Sequence, residues 1–156
     1  VDFSTGSLGH GFPAAVGLAA ALKILRSNYN VYCLIGDGEC NEGTIWESAL
    51  IASNLKLDNL CCIIDNNNSS KEILPLPDIK KQFQSFGWRA INSDGHSNKS
   101  LNTTISKFKN KKKKPTIIIA KTIKGKGISF IENNPKWHHK IPNHREFQMC
   151  INELKN

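Results

Sequence analysis

The sequence predicts a doubly wound α/β fold built on a parallel sheet. Three observations carry the prediction: short, nearly continuous apolar runs, helical segments that alternate with them, and polar or glycine-rich turns that close the runs. With 156 residues, 39% of them hydrophobic, the chain is long enough to bury a core and is expected to form one domain over residues 1–156.

Gly9 to Arg26 carries Ala, Val and Leu at mixed spacings of three and four, which predicts a helix buried over most of its surface. Val31-Tyr32-Cys33-Leu34-Ile35 follows as a strand expected to be covered on both faces, and Gly36-Asp37-Gly38 ends it. Glu42 to Leu55 reads as a second helix. Leu60-Cys61-Cys62-Ile63-Ile64 reads as a second buried strand, closing at Asp65-Asn66-Asn67-Asn68, so that strand, helix and strand make a βαβ unit. After the proline-punctuated stretch Leu74-Pro75-Leu76-Pro77, a helix is expected over Ile79 to Phe86 and a strand over Trp88 to Ile91. A helix near Lys99 to Lys109 leads to Thr116-Ile117-Ile118-Ile119-Ala120, a strongly β-branched strand. Beyond Lys121 the glycines and polar residues predict a functional loop, and Arg145 to Leu154 a final helix. Trp46, Phe83 and Phe86 are expected in the core or at an interface.

Composition excludes several classes. No apolar run approaches the roughly 18 residues that cross a bilayer, and no secretory signal is present, so no membrane role and a cytoplasmic location are expected. The five cysteines show neither C-x-x-C spacing nor an even framework; adjacent Cys61 and Cys62 alternate faces as small core residues. The formal charge of +8 comes in large part from Lys109 and Lys111 to Lys114. These lysines stand near a helix end, where cations complement the macrodipole, and no aromatic is interleaved to stack on bases. Nucleic acid is therefore not an expected partner. The chain opens at Val1 and enters the Ser4-Thr5-Gly6 motif almost at once, which reads as a piece of a longer polypeptide.

In open α/β sheets ligands gather beyond the carboxyl ends of the strands, where both Gly36-Asp37-Gly38 and Asp65-Asn66-Asn67 stand. Asp37 and Asn67 can then offer a carboxylate and an amide oxygen to one hard cation. Magnesium suits such ligands and completes its shell with water and substrate phosphate. Gly36 and Gly38 remove side-chain bulk where a diphosphate approaches, and the amides opening the Glu42 helix can help hold its oxygens. Taken alone, Gly-Asp-Gly is a common turn.

The joint pattern resembles the thiamine-diphosphate motif, which opens Gly-Asp-Gly and closes, after a helix and a buried strand, in Asn-Asn; here these are Gly36-Asp37-Gly38 and Asn66-Asn67. The flanks resemble transketolases in particular. Ser4-Thr5-Gly6-Ser7-Leu8-Gly9-His10-Gly11 is similar to the family's S/T-T-G-x-L-G-Q-G turn, and Gly36-Asp37-Gly38-Glu39-Cys40-Asn41-Glu42-Gly43 to its G-D-G-x-x-x-E-G segment. Phe86-Gly87-Trp88, Asp94-Gly95-His96, Lys114-Pro115-Thr116, Lys121-Thr122-Ile123-Lys124-Gly125-Lys126-Gly127 and Trp137-His138 follow in the family's order. Departures are His10, where the family has Gln or Met, and His139, where Gly is usual. The compact stretch between Ser69 and Ile79 is closer to the split, two-subunit bacterial type.

The resemblance implies a thiamine-diphosphate-binding fold lacking the family's upstream segment, with thiamine diphosphate and magnesium as cofactors. Asp37 and Asn67 match the side-chain magnesium ligands and Ser69 the backbone-carbonyl ligand. Gly6 and Leu8 match positions lining the cofactor, and Gly38 a diphosphate contact. Glu42 matches a glutamate at the subunit interface that links the two active sites of the dimer, and His138 a histidine near the diphosphate and the reacting centre. The implied activity is transfer of a two-carbon ketol unit between sugar phosphates. The domain that binds the aminopyrimidine ring has no counterpart in the sequence, so the chain is expected to be inactive alone and to join a C-terminal-type transketolase subunit in a dimer of heterodimers. Two alternatives stand beside this: a related thiamine enzyme, such as a deoxyxylulose-phosphate synthase or a dehydrogenase E1 component, and a non-catalytic interaction module.

Overall fold

A computed structural model describes residues 1–72, 74–110 and 113–155. It divides into two compact units, one over Val1–Lys121 and one from Thr122 onward. The first holds α1 (Gly11–Ile24), β1 (Val31–Gly36), α2 (Gly43–Asn54), β2 (Leu60–Asn66), α3 (Ile79–Ser85), β3 (Arg89–Asp94), α4 (Asn98–Asn110) and β4 (Thr116–Lys121). The strands form one parallel sheet in the order β1-β2-β4-β3. The predicted α/β architecture is the observed one.

Strand order explains which face each helix takes. The steps from β1 to β2 and from β2 to β3 run the same way across the sheet, and the step from β3 to β4 runs back. Right-handed crossovers then lay α2 and α3 on one face and α4 on the other. The core follows suit. Leu60, Cys62, Ile64, Ile117 and Ile119 pack with Phe12, Val16, Ile45, Ala49 and Phe83 of the helices on one side. Cys61 and Ile118 pack with Phe108 of α4 on the other. Cys61 and Cys62 thus face opposite layers, and the five cysteines are free and buried.

Three helices end in the same way, with a left-handed residue and two backward bonds of the Schellman type. Arg26 (φ 52°), Lys56 (φ 50°) and Gly87 (φ 90°) take that conformation. The next residue donates back in each case: Ser27 to Leu22 at 2.9 Å, Leu57 to Ala52 at 3.0 Å and Trp88 to Phe83 at 3.0 Å. The first helix accordingly stops at Ile24, short of the expected Arg26, because Arg26 is used to turn the chain. Only Gly87 places glycine at this turn, and there a Cβ would stand 2.6 Å from Ser53 Oγ.

Two expectations of burial are corrected. Among the described residues β1 is an edge strand buried on one face only: Val31, Cys33 and Ile35 point inward, while on the other face Leu34 is 71% exposed and Tyr32 packs only edge-on against Phe108. α1 buries a single stripe, Phe12, Val16 and Ala19, and leaves Leu18 half exposed. Apolar composition alone did not distinguish a two-sided element from a one-sided one at the margin of the sheet. Trp46, Phe83, Phe86 and Trp88 do form core, with Phe83 between the two indoles at 5.1 and 5.3 Å. Trp88 Nε1 donates to Ala49 O at 2.8 Å and Asn59 Nδ2 to Ala19 O at 2.9 Å, tying the helices to the sheet. α4 ends at Asn110, beside the predicted lysine cluster, of which Lys111 and Lys112 lie outside the described residues.

The second unit is a turn-rich segment followed by α5 (His144–Lys155). Asn143 and Glu146 exchange reciprocal bonds at 2.9 Å, a capping box that opens the helix. Glu153 of α5 accepts from both the amide and the hydroxyl of Ser129, anchoring the turns to the helix. No helix among the described residues is long and apolar enough to cross a membrane.

Phe83 is fully buried among aromatic neighbours, so Phe83→Ala is expected to cost about 3–5 kcal/mol in urea denaturation of the chain.

Candidate functional site

β1 and β2 run parallel with Gly36 paired to Asp65, so the turns that follow them leave the sheet at the same edge. Asp37 N–H donates to Asp65 O at 3.1 Å, and a Cβ on Gly38 would lie 3.9 Å from Ser70 Cβ. The Gly-Asp-Gly turn is therefore packed against the segment that carries Asn67, Ser69 and Ser70.

Asp37 is 4% exposed, and its Oδ2 is buried without a hydrogen-bond partner. A buried carboxylate oxygen left unpaired is costly, and native proteins rarely keep one without an ion, water or ligand to meet it. Asn41 Oδ1, in the 3-10 turn Gly38–Asn41 that follows, is likewise buried and unpaired. Asn67 differs: its Oδ1 accepts from the backbone amide of Ser69 at 3.0 Å and from the Ser69 hydroxyl. Among the described residues no group of three or more His, Cys, Asp or Glu gathers to hold a metal ion. Carboxylate, amide and carbonyl oxygens at the β1 and β2 ends, Asp37 and Asn67 among them, are chemistry for a hard cation rather than for zinc. Burial pushes the nearby Cys40 thiol up to about 12, so it is held as the neutral thiol in the folded chain.

The loop before α1 closes over Gly9. Gly6 has open space where a Cβ would stand, and Leu8 is 56% exposed. The loop is shaped internally by Ser7 N–H to Thr5 Oγ1 at 3.1 Å and by His10 Nδ1 to Leu8 O at 3.0 Å. The unusual His10 thus ties down the turn. Gly9 has φ +75°, and a Cβ there would stand 2.8 Å from Glu42 Cβ. Glu42 caps α2 with extended backbone and makes no capping bond with its side chain, which is half-buried. Gly36 offers no free amide, because its N–H donates to Glu39 Oε2 at 2.8 Å. Glu39 is the residue that sequence reasoning passed over; its only signal was a carboxylate two places after Asp37.

In the second unit, His138 is exposed, and its Nδ1 lies 2.8 Å from Lys124 Nζ. The ammonium donates, so His138 Nδ1 is the bare nitrogen and Nε2 carries the proton. Lys124 is the main cause that holds the His138 pKa below the ordinary histidine value, with His139, edge-on at 4.3 Å, adding to it. Protonating Nδ1 would set two cations in contact. His96, by contrast, sits in a turn at the end of β3, where its backbone amide donates to Asp94 Oδ1 at 2.9 Å.

Comparison with known proteins decides what this arrangement belongs to. The profile of the family described as "Transketolase, thiamine diphosphate binding domain" matches residues 1–149. This chain is a member of the transketolase family. It is 43% identical to one of the subunits of the apulose-4-phosphate transketolase of Actinobacillus succinogenes, covering 99% of this chain and 58% of that protein. It is 36% identical to the 6-deoxy-6-sulfo-D-fructose transketolase subunit SqwG of a Clostridium species, with the same coverage. Human transketolase is 46% identical over 89% of this chain and 23% of its own length. Among solved structures, transketolase from Campylobacter jejuni superposes with a TM-score of 0.91 at 30% identity, over 99% of this chain and 26% of that one. The chain therefore spans little more than half the length of the subunits it matches, and the part it represents is the family's thiamine-diphosphate-binding domain.

Gly9→Ala is expected to lose about 1–3 kcal/mol from backbone conformation alone, and more from overlap with Glu42, read as a lowered denaturant midpoint. Lys124→Met should move the His138 titration midpoint upward, followed by the ring-proton shifts in NMR; an unmoved midpoint would dissociate the pair.

Proposed function

We propose that this chain is the diphosphate- and magnesium-binding half of a split transketolase-type transferase, moving a two-carbon ketol unit between sugar phosphates together with a C-terminal-type partner subunit. The observation that carries this reading is Asp37 Oδ2, buried and unpaired at the edge where the β1 and β2 turns meet. Asp37, the Asn67 amide oxygen and the Ser69 carbonyl would hold the cation. The Ser69 hydroxyl has to rotate off Asn67 Oδ1 to free a lone pair for it. Gly38 lets the diphosphate come close to the backbone, and Gly6 and Leu8 line the bound group.

Thiamine diphosphate, when bound, supplies the carbanion and the electron sink that cleavage beside a ketose carbonyl needs. The residues of this chain orient it and manage protons and charge. His138 presents its Nε2–H, set by Lys124 at Nδ1, as a donor to an anionic oxygen or as a mobile proton. Glu42 stands at the start of α2, where a carboxylate can reach across to a second active site in the dimer.

The subunit designations of two relatives support a heteromeric enzyme. A dimer of heterodimers is the assembly that goes with the role of Glu42. The same names, apulose 4-phosphate and 6-deoxy-6-sulfofructose, favour a specialised sugar as donor.

Titration calorimetry with thiamine diphosphate tests the reading, with the chain alone and mixed with its partner subunit. Binding should require magnesium and be abolished in Asp37→Ala. Absence of magnesium-dependent binding with the partner present would overturn the cofactor role, and full ketol transfer by the chain alone would remove the need for a partner.

A further inference from the structure

Gly9 is buried, whereas Gly6, Ser7 and Leu8 before it are exposed. Both sides of its peptide environment are held by side chains from the opposite turn. Its N–H donates to Glu39 Oε1 at 3.1 Å, and its carbonyl accepts from Thr44 Oγ1 at 3.0 Å. The second oxygen of Glu39, Oε2, accepts from Gly36 N–H at 2.8 Å. One carboxylate thus joins the loop before α1 to the last residue of β1.

We propose that Glu39 is a positioning residue that clasps the Gly6–Leu8 loop to the Asp37 turn, setting the separation of the two surfaces between which the cofactor lies. The inference rests on the cofactor reading of that loop. A carboxylate is required because both partners are N–H donors, and only Asp or Glu offers an acceptor oxygen to each; a glutamine offers one oxygen and one NH2. Aspartate, one methylene shorter, cannot span the same pair of amides from the same backbone position. The clasp also consumes the amides of Gly9 and Gly36, so the diphosphate depends on the cation and on Gly38 instead.

A negative charge beside an anion site is unfavourable by itself, and this separates the clasp from a bystander. If Glu39 were only a neighbouring charge, Glu39→Gln would tighten thiamine diphosphate binding. As a clasp, its replacement weakens binding at saturating magnesium by about tenfold or more, the scale of one lost charge-assisted hydrogen bond. Thr44→Val should weaken binding in the same direction, and the double variant should lose less than the product of the two single losses.

The experiment uses the full chain with its partner subunit, thiamine diphosphate and magnesium chloride as probes, and amide hydrogen exchange of Gly9 in the cofactor-free protein. The Gly9 amide should exchange slowly beside a fast Gly6 amide, and its exchange should accelerate about tenfold or more in Glu39→Gln. Equal or tighter cofactor binding by Glu39→Gln, or a Gly9 amide that exchanges as fast as that of Gly6 in the unaltered chain, overturns the clasp. Should the unaltered protein bind no thiamine diphosphate, the cofactor reading falls, and the exchange of Gly9 still decides whether the clasp exists.

Discussion

The pairing of β1 with β2, in parallel and with Gly36 opposite Asp65, is the constraint on which the site depends. It brings the ends of the two strands to one edge and lets the Asp37 amide bond to the Asp65 carbonyl. A slip of one residue would turn Cys62, Ile64 and the helix-facing core toward α4 and send Cys61 to the other layer. The register is therefore held by burial on both faces of β2, and the geometry of the turns is a by-product of packing deep in the sheet. β4, buried along nearly its whole length on the other side of β2, seals that register.

Within that frame the polar groups divide sharply. Glu39 uses both oxygens, one on each of two backbone amides, and Thr44 meets the carbonyl that remains at Gly9. Asn67 is engaged by Ser69. Asp37, placed between these satisfied groups, keeps one buried oxygen without a partner. Desolvating a carboxylate in this way is unfavourable unless something positive completes it. That open oxygen, with Asn41 Oδ1 beside it in the same turn, is the feature on which the proposed cation site rests.

The second unit carries a different kind of device. His138 is exposed, and its proton is directed by a neighbouring ammonium rather than by burial. Turns such as that at Gly125, where a Cβ would stand 2.5 Å from Ile131 Cγ2, shape the segment between Lys124 and His138. Lys124 and His138 are fourteen residues apart in sequence, and the contact exists because Asn133 N–H returns to Lys124 O at 3.0 Å and folds the chain back.

Much of this was legible from residue order. Apolar runs bounded by Gly-Asp-Gly and by asparagines are local signals, since strand and turn chemistry act over a few residues. They located the four strands and five α-helices of the described residues to within a few residues, whereas the roles expected of Gly6 and His138 came from resemblance to a family. What local signals could not carry was anything decided between segments far apart. The one-sided cover of β1 depends on its place at the margin of the sheet, and strand order is a property of the whole chain. The early stop of α1 depends on Arg26 accepting a left-handed conformation that its side chain does not advertise. Glu39 looked like any turn carboxylate, because its partners, Gly9 thirty residues earlier and Gly36 at the end of β1, meet only when the fold closes. Residue order thus determined which polar groups stand at the strand ends and turns, and tertiary packing decided which of them are left unpaired and which are engaged in holding the others in place.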